Sequence, residues 1–148
     1  MTNNIAQLVI QAKKNSDFNA IIDQVPYAKL IGIAMDSVEG QLVISLPFKP
    51  ENIGNSSLPA LHGGVIGGFL ESAALLHLIW TNESTEMPLT INFSLDYLRP
   101  AKADILYSRC NITKQGRRIA NVEVTAWQSN PNEPTAIARV HFLLRNNS

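Results

Sequence analysis

The chain lacks the features that mark secreted, membrane-spanning or zinc-binding proteins. Its single cysteine, Cys110, cannot form an internal disulfide, and no Cys/His cluster has the spacing of a zinc site. Residues 1–14 contain no apolar segment of the kind that a secretory signal carries. The longest apolar stretch, residues 65–80, contains Glu71 and His77 and is shorter than the roughly 20 residues that a membrane-spanning helix needs. We therefore expect a cytoplasmic protein with no membrane span and no metal site.

An excess of charge of either sign is also lacking. The chain has 12 basic and 12 acidic residues, and this balance argues against a nucleic-acid-binding protein. The distribution is uneven, because residues 99–118 carry six basic side chains against one acid, Asp104. This segment could bind an anion, or its charges could simply keep a hairpin in solution.

With 148 residues, the chain has the length of one domain, and no linker divides residues 1–148. Apolar residues recur at helical spacing near the start, so residues 1–25 are predicted to form a helical extension. An alternating pattern then predicts a hairpin with its turn at Glu39-Gly40. The predicted helices cover residues 4–14 and 17–24, the hairpin strands cover residues 31–38 and 41–46, and a proline-containing loop covers residues 47–59.

A long apolar helix over residues 62–80 follows, and the remainder of the chain reads as strand. Turn residues at hairpin spacing join the last three strands into an antiparallel meander. The predicted strands cover residues 89–98, 104–113, 117–127 and 135–144. Because so apolar a helix must be covered on nearly every side, we expect an α+β fold in which a curved antiparallel β-sheet wraps around one long central helix.

Glu71 is the only charged residue of this helix. A carboxylate among apolar residues costs of the order of several kcal/mol unless it is paired, solvated or protonated. At about 100° per residue, three glycines share its helix face, namely Gly64, Gly67 and Gly68. Since each glycine costs roughly 1 kcal/mol in helix propensity, either a second helix or a ligand is expected to approach closely there. Alternatively, Glu71 lies on a solvated edge and the glycines only permit close helix packing.

The first N–H groups of the helix, at Gly63 and Gly64, are donors without partners inside the helix. Together with the helix dipole, they suit a carbonyl oxygen that gains negative charge. Gly63 and Glu71 are eight residues apart, however, which corresponds to about 12 Å along the helix axis. One carbonyl group cannot contact both. A site that uses both residues therefore requires two chains, with their helices antiparallel across a two-fold axis.

Three sequence features together resemble one known family. Leu61-His62-Gly63-Gly64 opens the long helix, Glu71 follows nine residues after the histidine, and the strand at residues 90–101 ends in Tyr-Leu-Arg-Pro-Ala. In these features the chain resembles the hotdog-fold thioesterases, specifically the PaaI-like and 4-hydroxybenzoyl-CoA thioesterase branch, over about residues 31–144. The resemblance implies a hotdog fold, hydrolysis of an acyl- or aryl-CoA thioester without metal or redox cofactor, and a homodimer or dimer of dimers.

The resemblance also implies roles for individual residues. Gly63 would polarise the thioester carbonyl through its N–H, and Glu71 of the partner chain would act as nucleophile or as general base for water. His62 would orient the site, and Thr90 stands where some members have a Ser or Thr that positions the water. The substrate-binding residues would be Asn55, Ser56 and Gly64 near the thioester, and Arg99, Lys102, Arg117 and Arg118 at the phosphates of coenzyme A.

Two departures from the family pattern leave other functions open. Where members often have Asn or Gln six residues before the histidine, this chain has Ser56, with Asn55 one place earlier, and Leu75 offers no hydroxyl where some relatives have Thr. A non-catalytic acyl-CoA-binding or sensing protein on the same fold is one alternative. A hydratase or dehydratase of enoyl or 3-hydroxyacyl thioesters is another, which the nine-residue spacing disfavours. Three further residues are expected to be structural, namely His77, Cys110 and His141.

Overall fold

Helices form the N-terminal part of the chain. The computed structural model describes residues 4–55, 57, 59–82 and 86–145, and for Asn55 it describes the backbone only. The first two helices, α1 (Ile5–Asn15) and α2 (Phe18–Ile22), confirm the predicted pair, and each begins at a side chain that accepts a hydrogen bond from the first turn. A third helix, α3 (Pro26–Ile31), follows after three residues.

The sequence-based prediction does not contain α3, because Pro26 suggests a break in the chain. Proline fits the first position of a helix, where its missing N–H would have had no partner anyway. Gly32, with φ of +88°, ends the helix in a left-handed conformation. The strand that was expected to begin at residue 31 therefore begins at Ala34.

Six strands form the main sheet. They are β1 (Ala34–Val38), β2 (Gln41–Leu46), β5 (Leu89–Tyr97), β6 (Leu106–Gln115), β7 (Ile119–Trp127) and β8 (Ala136–Leu143). All neighbours are antiparallel, in the order β1-β2-β6-β7-β8-β5. The predicted hairpin and the predicted meander are confirmed, and β5 closes the sheet as an edge strand beside β8.

Part of the segment that was expected to be a loop also forms strands. After a 3-10 turn at Pro50–Asn52, β3 (Ile53–Asn55) pairs with β4 (Ala60–Leu61), which directly precedes the long helix. The small two-stranded sheet therefore leads directly into that helix, and the pairing of β3 with β4 fixes the position of the helix start.

The long helix, α4 (Gly63–Thr81), packs across the sheet on strands β2, β6, β7 and β8. Alternate residues of β7 and β8 point towards it, and their side chains, such as Val124 and Phe142, are fully buried. In the described part of the chain, α4 is the one helix long and apolar enough to cross a membrane. However, 56% of its most apolar 18-residue stretch is buried inside the fold. It is the core helix, and the predicted α+β architecture is confirmed.

Candidate active site

His62 caps the start of α4. Its Nδ1 accepts a hydrogen bond from the Gly64 N–H at 2.9 Å, and its backbone is extended, as at a helix N-cap. The histidine thus uses the Gly64 donor. The Gly63 N–H has no acceptor within the part of the chain that the structure describes. Gly63 is therefore the donor of this helix start that remains available to a carbonyl oxygen.

Asn52 and Gly54 hold His62 in place. Asn52 is buried; its carbonyl accepts the His62 N–H at 2.8 Å, and its side-chain amide donates to the Ile31 carbonyl at 2.9 Å. A Cβ on Gly54 would lie 2.9 Å from the His62 Cα, so a larger residue would push the two segments apart. The end of α3 and the start of α4 are thereby joined through one buried residue, by its side-chain amide on one side and its backbone carbonyl on the other.

Tyr97, at the end of β5, also contacts the helix start. Its hydroxyl donates to the Gly63 carbonyl oxygen at 2.7 Å. A Cβ on Gly63 would lie 3.2 Å from that hydroxyl oxygen, which is a tight contact. This hydrogen bond holds the first turn of α4 against the edge strand of the sheet. It therefore also fixes the position of the Gly63 N–H.

Gly64, Gly67 and Gly68 form a glycine stripe on the Glu71 face of α4, and two of them accommodate side chains of the same chain. A Cβ on Gly68 would lie 2.2 Å from Cε2 of Tyr27, and a Cβ on Gly67 would lie 3.2 Å from Cδ2 of Leu95. Within one chain, the close approach predicted from these glycines is therefore made by α3 and β5. Tyr27 is exposed and Leu95 is only half-buried. The two side chains therefore cover the glycine stripe only in part.

A groove of about 630 Å³ runs along α4 beside Glu71. Its lining is mostly apolar, and Glu71 is half-buried and the only acid in it among the described residues. The helix contributes Gly64, Gly67, Gly68, Glu71, Ser72 and Leu75. The walls are formed by Thr90, Phe93, Leu95 and Tyr97 of β5 and by Val25 and Tyr27 at the start of α3. A half-buried carboxylate in such a groove can accept a proton from, or attack, an apolar ligand's reactive group.

A second cavity, of about 460 Å³, lies at the start of α4. Gly63 and Ile66 line it together with the segment from Tyr97 to Ala101. Tyr97 belongs to the linings of both cavities and so stands between them. Glu71 and Gly63 therefore line two separate cavities of one chain.

The predicted catalytic residues are brought together only in part. Glu71 and Thr90 line the same groove, whereas Gly63 lies in the other cavity. Because α4 is a continuous helix, Gly63 and Glu71 of one chain remain about 12 Å apart along its axis. A single chain does not place both on one carbonyl group.

The basic residues predicted at the coenzyme A phosphates lie at two ends of the sheet. Arg99 and Lys102 follow β5, beside the cavity at Gly63, and Arg99 lies 3.9 Å from Glu133 in an exposed ion pair. Arg117 and Arg118 form the turn between β6 and β7. The length of β7 separates the two pairs by roughly 26 Å, so one chain does not form the single cluster that the sequence suggests.

Two of the predicted binding residues lie wholly or partly outside the described residues. Asn55 ends β3, but its side chain lies outside the described parts, and Ser56 lies outside them altogether. Their predicted contact with substrate stays a prediction. Among the described residues, no group of three or more His, Cys, Asp and Glu side chains is placed to hold a metal ion.

A small cavity of about 140 Å³ lies away from the groove, between α4, β2 and β6. His77 and Cys110 line it. Burial lowers the pKa of His77 and raises the pKa of the Cys110 thiol to about 12, and the thiol donates to the Ala73 carbonyl, with sulfur and oxygen 3.7 Å apart. Cys110 packs against the hydrophobic core, and a purely structural role for His77 stays a prediction. His141 lies half-buried on β8, opposite Asn121 of β7.

Three residues that contact the site are not predicted from the sequence. Tyr27 contacts α4 at Gly68, and Asn52 contacts the cap residue His62, which lies ten residues further along the chain. Only the glycine at position 68 hints at the first of these contacts. Tyr97 belongs to the aromatic-Leu-Arg-Pro-Ala pattern, so its position carries a signal, although its bond to Gly63 does not follow from the pattern.

Comparison with known proteins identifies the family. The profile of the Thioesterase superfamily matches residues 58–135, and no curated protein sequence matches the chain. A Chromobacterium violaceum protein of known structure is 45% identical, with a TM-score of 0.78 over 96% of this chain and 99% of that one.

Two more distant structures share the fold. A phenylacetic acid degradation-related protein of Ralstonia eutropha is 24% identical, with a TM-score of 0.70 over 81% of this chain and 90% of that one. A Bacillus halodurans protein crystallised with CoA is 19% identical, with a TM-score of 0.71 over 97% and 93%. The resemblance to hotdog-fold thioesterases is thus confirmed: since the family profile covers more than half of the chain, this protein belongs to the thioesterase superfamily.

Proposed function

We propose that this protein hydrolyses the thioester of an acyl- or aryl-CoA, giving the free acid and coenzyme A. The observation that carries the proposal is Glu71, which is half-buried in an apolar groove on the central helix. A superfamily domain with one carboxylate in such a groove has the group that thioester hydrolysis needs. The Bacillus halodurans relative crystallised with CoA supports coenzyme A as the leaving group.

The proposed site is completed by a second chain. Gly63 and Glu71 line different cavities of one chain, and an antiparallel partner would place its own Glu71 opposite Gly63. The strand β5 supports this arrangement, because it is a nine-residue edge strand with Ile91 and Tyr97 more than half exposed. Long exposed edges pair readily with a second copy. We therefore propose a homodimer, alone or within a dimer of dimers.

In the proposed reaction, water adds to the thioester carbonyl carbon while Glu71 accepts the proton from that water. The carbonyl oxygen gains negative charge next to the Gly63 N–H of the other chain. The carbon–sulfur bond then breaks, and the departing sulfur receives the proton. If Glu71 instead attacks the carbon directly, the carbon–sulfur bond breaks as a mixed anhydride forms, and coenzyme A leaves as a thiolate that takes up a proton from solvent. In a second step water hydrolyses the anhydride, which releases the free acid and restores the Glu71 carboxylate. Both routes require the carboxylate.

A thiol-release assay over acyl-CoAs of different length and aromaticity tests the proposal. We expect release of coenzyme A by the wild type and a loss of at least ~10²-fold in Glu71→Gln. Glu123→Gln is the matched control, since Glu123 lies on β7 in an exposed pair with Arg139 and outside the groove. Full activity of Glu71→Gln would contradict the role of this carboxylate. Tight binding of acyl-CoAs without release of any thiol would instead favour the sensing protein.

Light scattering on the active protein tests the two-chain site. A chain of 16.3 kDa is expected to give the mass of a dimer or of an even multiple at the concentrations where it is active. A monomer with full activity would contradict a site that is shared between chains. The measurement is independent of the acyl group.

A further inference from the structure

The start of α3 forms one wall of the groove at Glu71. Among the described lining residues, Val25 and Tyr27 are the ones that belong to neither α4 nor β5. They come from the helical N-terminal segment, whereas the family profile begins only at residue 58. The wall is therefore built by a part of the chain outside the matched region.

Tyr27 packs directly on the glycine stripe. A Cβ built on Gly68 would lie 2.2 Å from Cε2, 2.9 Å from Cζ and 3.0 Å from the hydroxyl oxygen of Tyr27. The ring edge thus occupies the space that a side chain at position 68 would fill. Gly68 precedes Glu71 by three residues, so the ring lies about one helical turn from the carboxylate.

The groove offers room to an apolar chain mainly on this side of Glu71. Towards the end of α4 the floor carries the branched side chain of Leu75, whereas towards its start the floor consists of Gly68, Gly67 and Gly64. A chain that extends from a thioester carbonyl held at Glu71 towards the start of α4 would pass over these glycines. There it would meet the ring of Tyr27, which is 39% exposed and covers part of that floor.

We propose that Tyr27 limits the length of the acyl group, so that the substrate class is CoA thioesters of short to medium apolar acyl chains. This inference rests on the proposed function. The ring acts by occupying space, and its hydroxyl has no part in the effect. Shortening the side chain should therefore admit longer acyl groups, and enlarging it should exclude chains that the wild type accepts.

The expected size of the effect follows from the burial of methylenes. Each methylene that enters an apolar groove improves binding by roughly fourfold. For the wild type, kcat/KM should rise with chain length until the chain reaches Tyr27, and then level off or fall. In Tyr27→Ala the rise should continue for about two or more further carbons, because the deleted ring leaves a space of several methylenes.

The experiment compares even-numbered saturated acyl-CoAs from acetyl to palmitoyl. Tyr27→Ala should move the optimum to longer chains, Tyr27→Trp should move it to shorter chains, and Tyr27→Phe should leave it in place. Leu30→Ala is the matched control, because Leu30 lies on the same helix, is 67% exposed and is not part of the groove. An optimum that stays in place in both Tyr27→Ala and Tyr27→Trp would overturn the proposal, as would an equal shift in Leu30→Ala.

A binding measurement separates this inference from the proposed function. Calorimetry with non-hydrolysable thioether analogues carrying butyl, octyl and dodecyl chains needs no turnover. If no thioester is hydrolysed but Tyr27→Ala still gains at least ~10-fold in affinity for the longest analogue, the limit set by Tyr27 holds and hydrolysis is the part that fails. Unchanged affinities in a folded Tyr27→Ala variant, as judged by circular dichroism, would overturn the inference whatever the activity.

Discussion

The contact between Gly68 and Tyr27 makes a prediction that can be worked out in free energy. Gly68→Ala adds a Cβ that would lie 2.2 Å from the ring of Tyr27, so the ring must move away. It is the far end of a side chain that is already 39% exposed, and it can swing into solvent. The cost is then the loss of its buried contact with α4, about 1–2 kcal/mol.

Gly68→Ala also has a favourable component. Alanine in a helix interior is more stable than glycine by about 1 kcal/mol. In the wild-type background the two contributions offset each other in part, and we expect the free energy of unfolding to fall by no more than about 1 kcal/mol. In the Tyr27→Ala background the ring is absent, so Gly68→Ala should stabilise the protein by about 1 kcal/mol. The expected coupling between the two positions is therefore about 1–2 kcal/mol.

Urea unfolding of the four proteins measures this coupling. All four must be compared at one protein concentration, because the stability of an oligomer depends on it. Gly116→Ala in the same two backgrounds is the control, since its Cβ would meet only the Ile119 carbonyl oxygen at an ordinary 3.7 Å. If Gly68→Ala has the same effect with and without Tyr27, to within about 0.5 kcal/mol, the ring does not lie on the glycine stripe in solution.

Three further predictions concern the histidines and the cysteine. His62→Ala removes the cap of α4 and should lower the free energy of unfolding by about 1 kcal/mol, whereas His62→Asn keeps an acceptor and should recover most of it in urea titrations; equal stability of all three proteins would contradict the cap. Burial lowers the pKa of His77, so as the pH falls the unfolded chain takes up the proton before the folded protein does. The free energy of unfolding should therefore decrease as the pH drops below the ordinary pKa of 6.5, and His77→Gln should flatten this dependence in urea titrations at several pH values. Burial raises the pKa of the Cys110 thiol to about 12, so a disulfide reagent should label it only after unfolding, and rapid labelling of the native protein would contradict its burial.

The parts of the fold that follow from sequence are those set by neighbouring residues. The turn at Glu39-Gly40 has positive φ at both positions, 53° and 77°, and short-range turn chemistry of this kind can be read directly. The apolar content of α4 likewise predicts a buried helix wrapped by sheet. By contrast, α3 is missed, because Pro26 fits both the end of one helix and the start of the next, and only the later Gly32 distinguishes the two.

The candidate site is predictable where one helix carries it and unpredictable where distant segments meet. The positions of His62 and Gly63 at the helix start follow from helix capping, and the single-chain separation of Gly63 from Glu71 follows from helix geometry. The contact of Gly68 with Tyr27 does not follow from the sequence, because any segment that returns to the helix could fill the space beside Gly68. Charge density along the chain is misleading for Arg99 and Arg118, since β6 and the connection before it carry the chain to the opposite end of the sheet.

The strand β5 links the proposed dimer to the proposed chemistry. One side of this strand supplies groove residues next to Glu71, its end supplies the Tyr97 hydroxyl that holds Gly63, and its outer edge lacks a neighbour within the described sheet. A second chain that pairs with this edge would therefore act on both cavities at once. The position of β5 at the edge of the sheet thus supports edge-to-edge pairing as the contact of the proposed dimer.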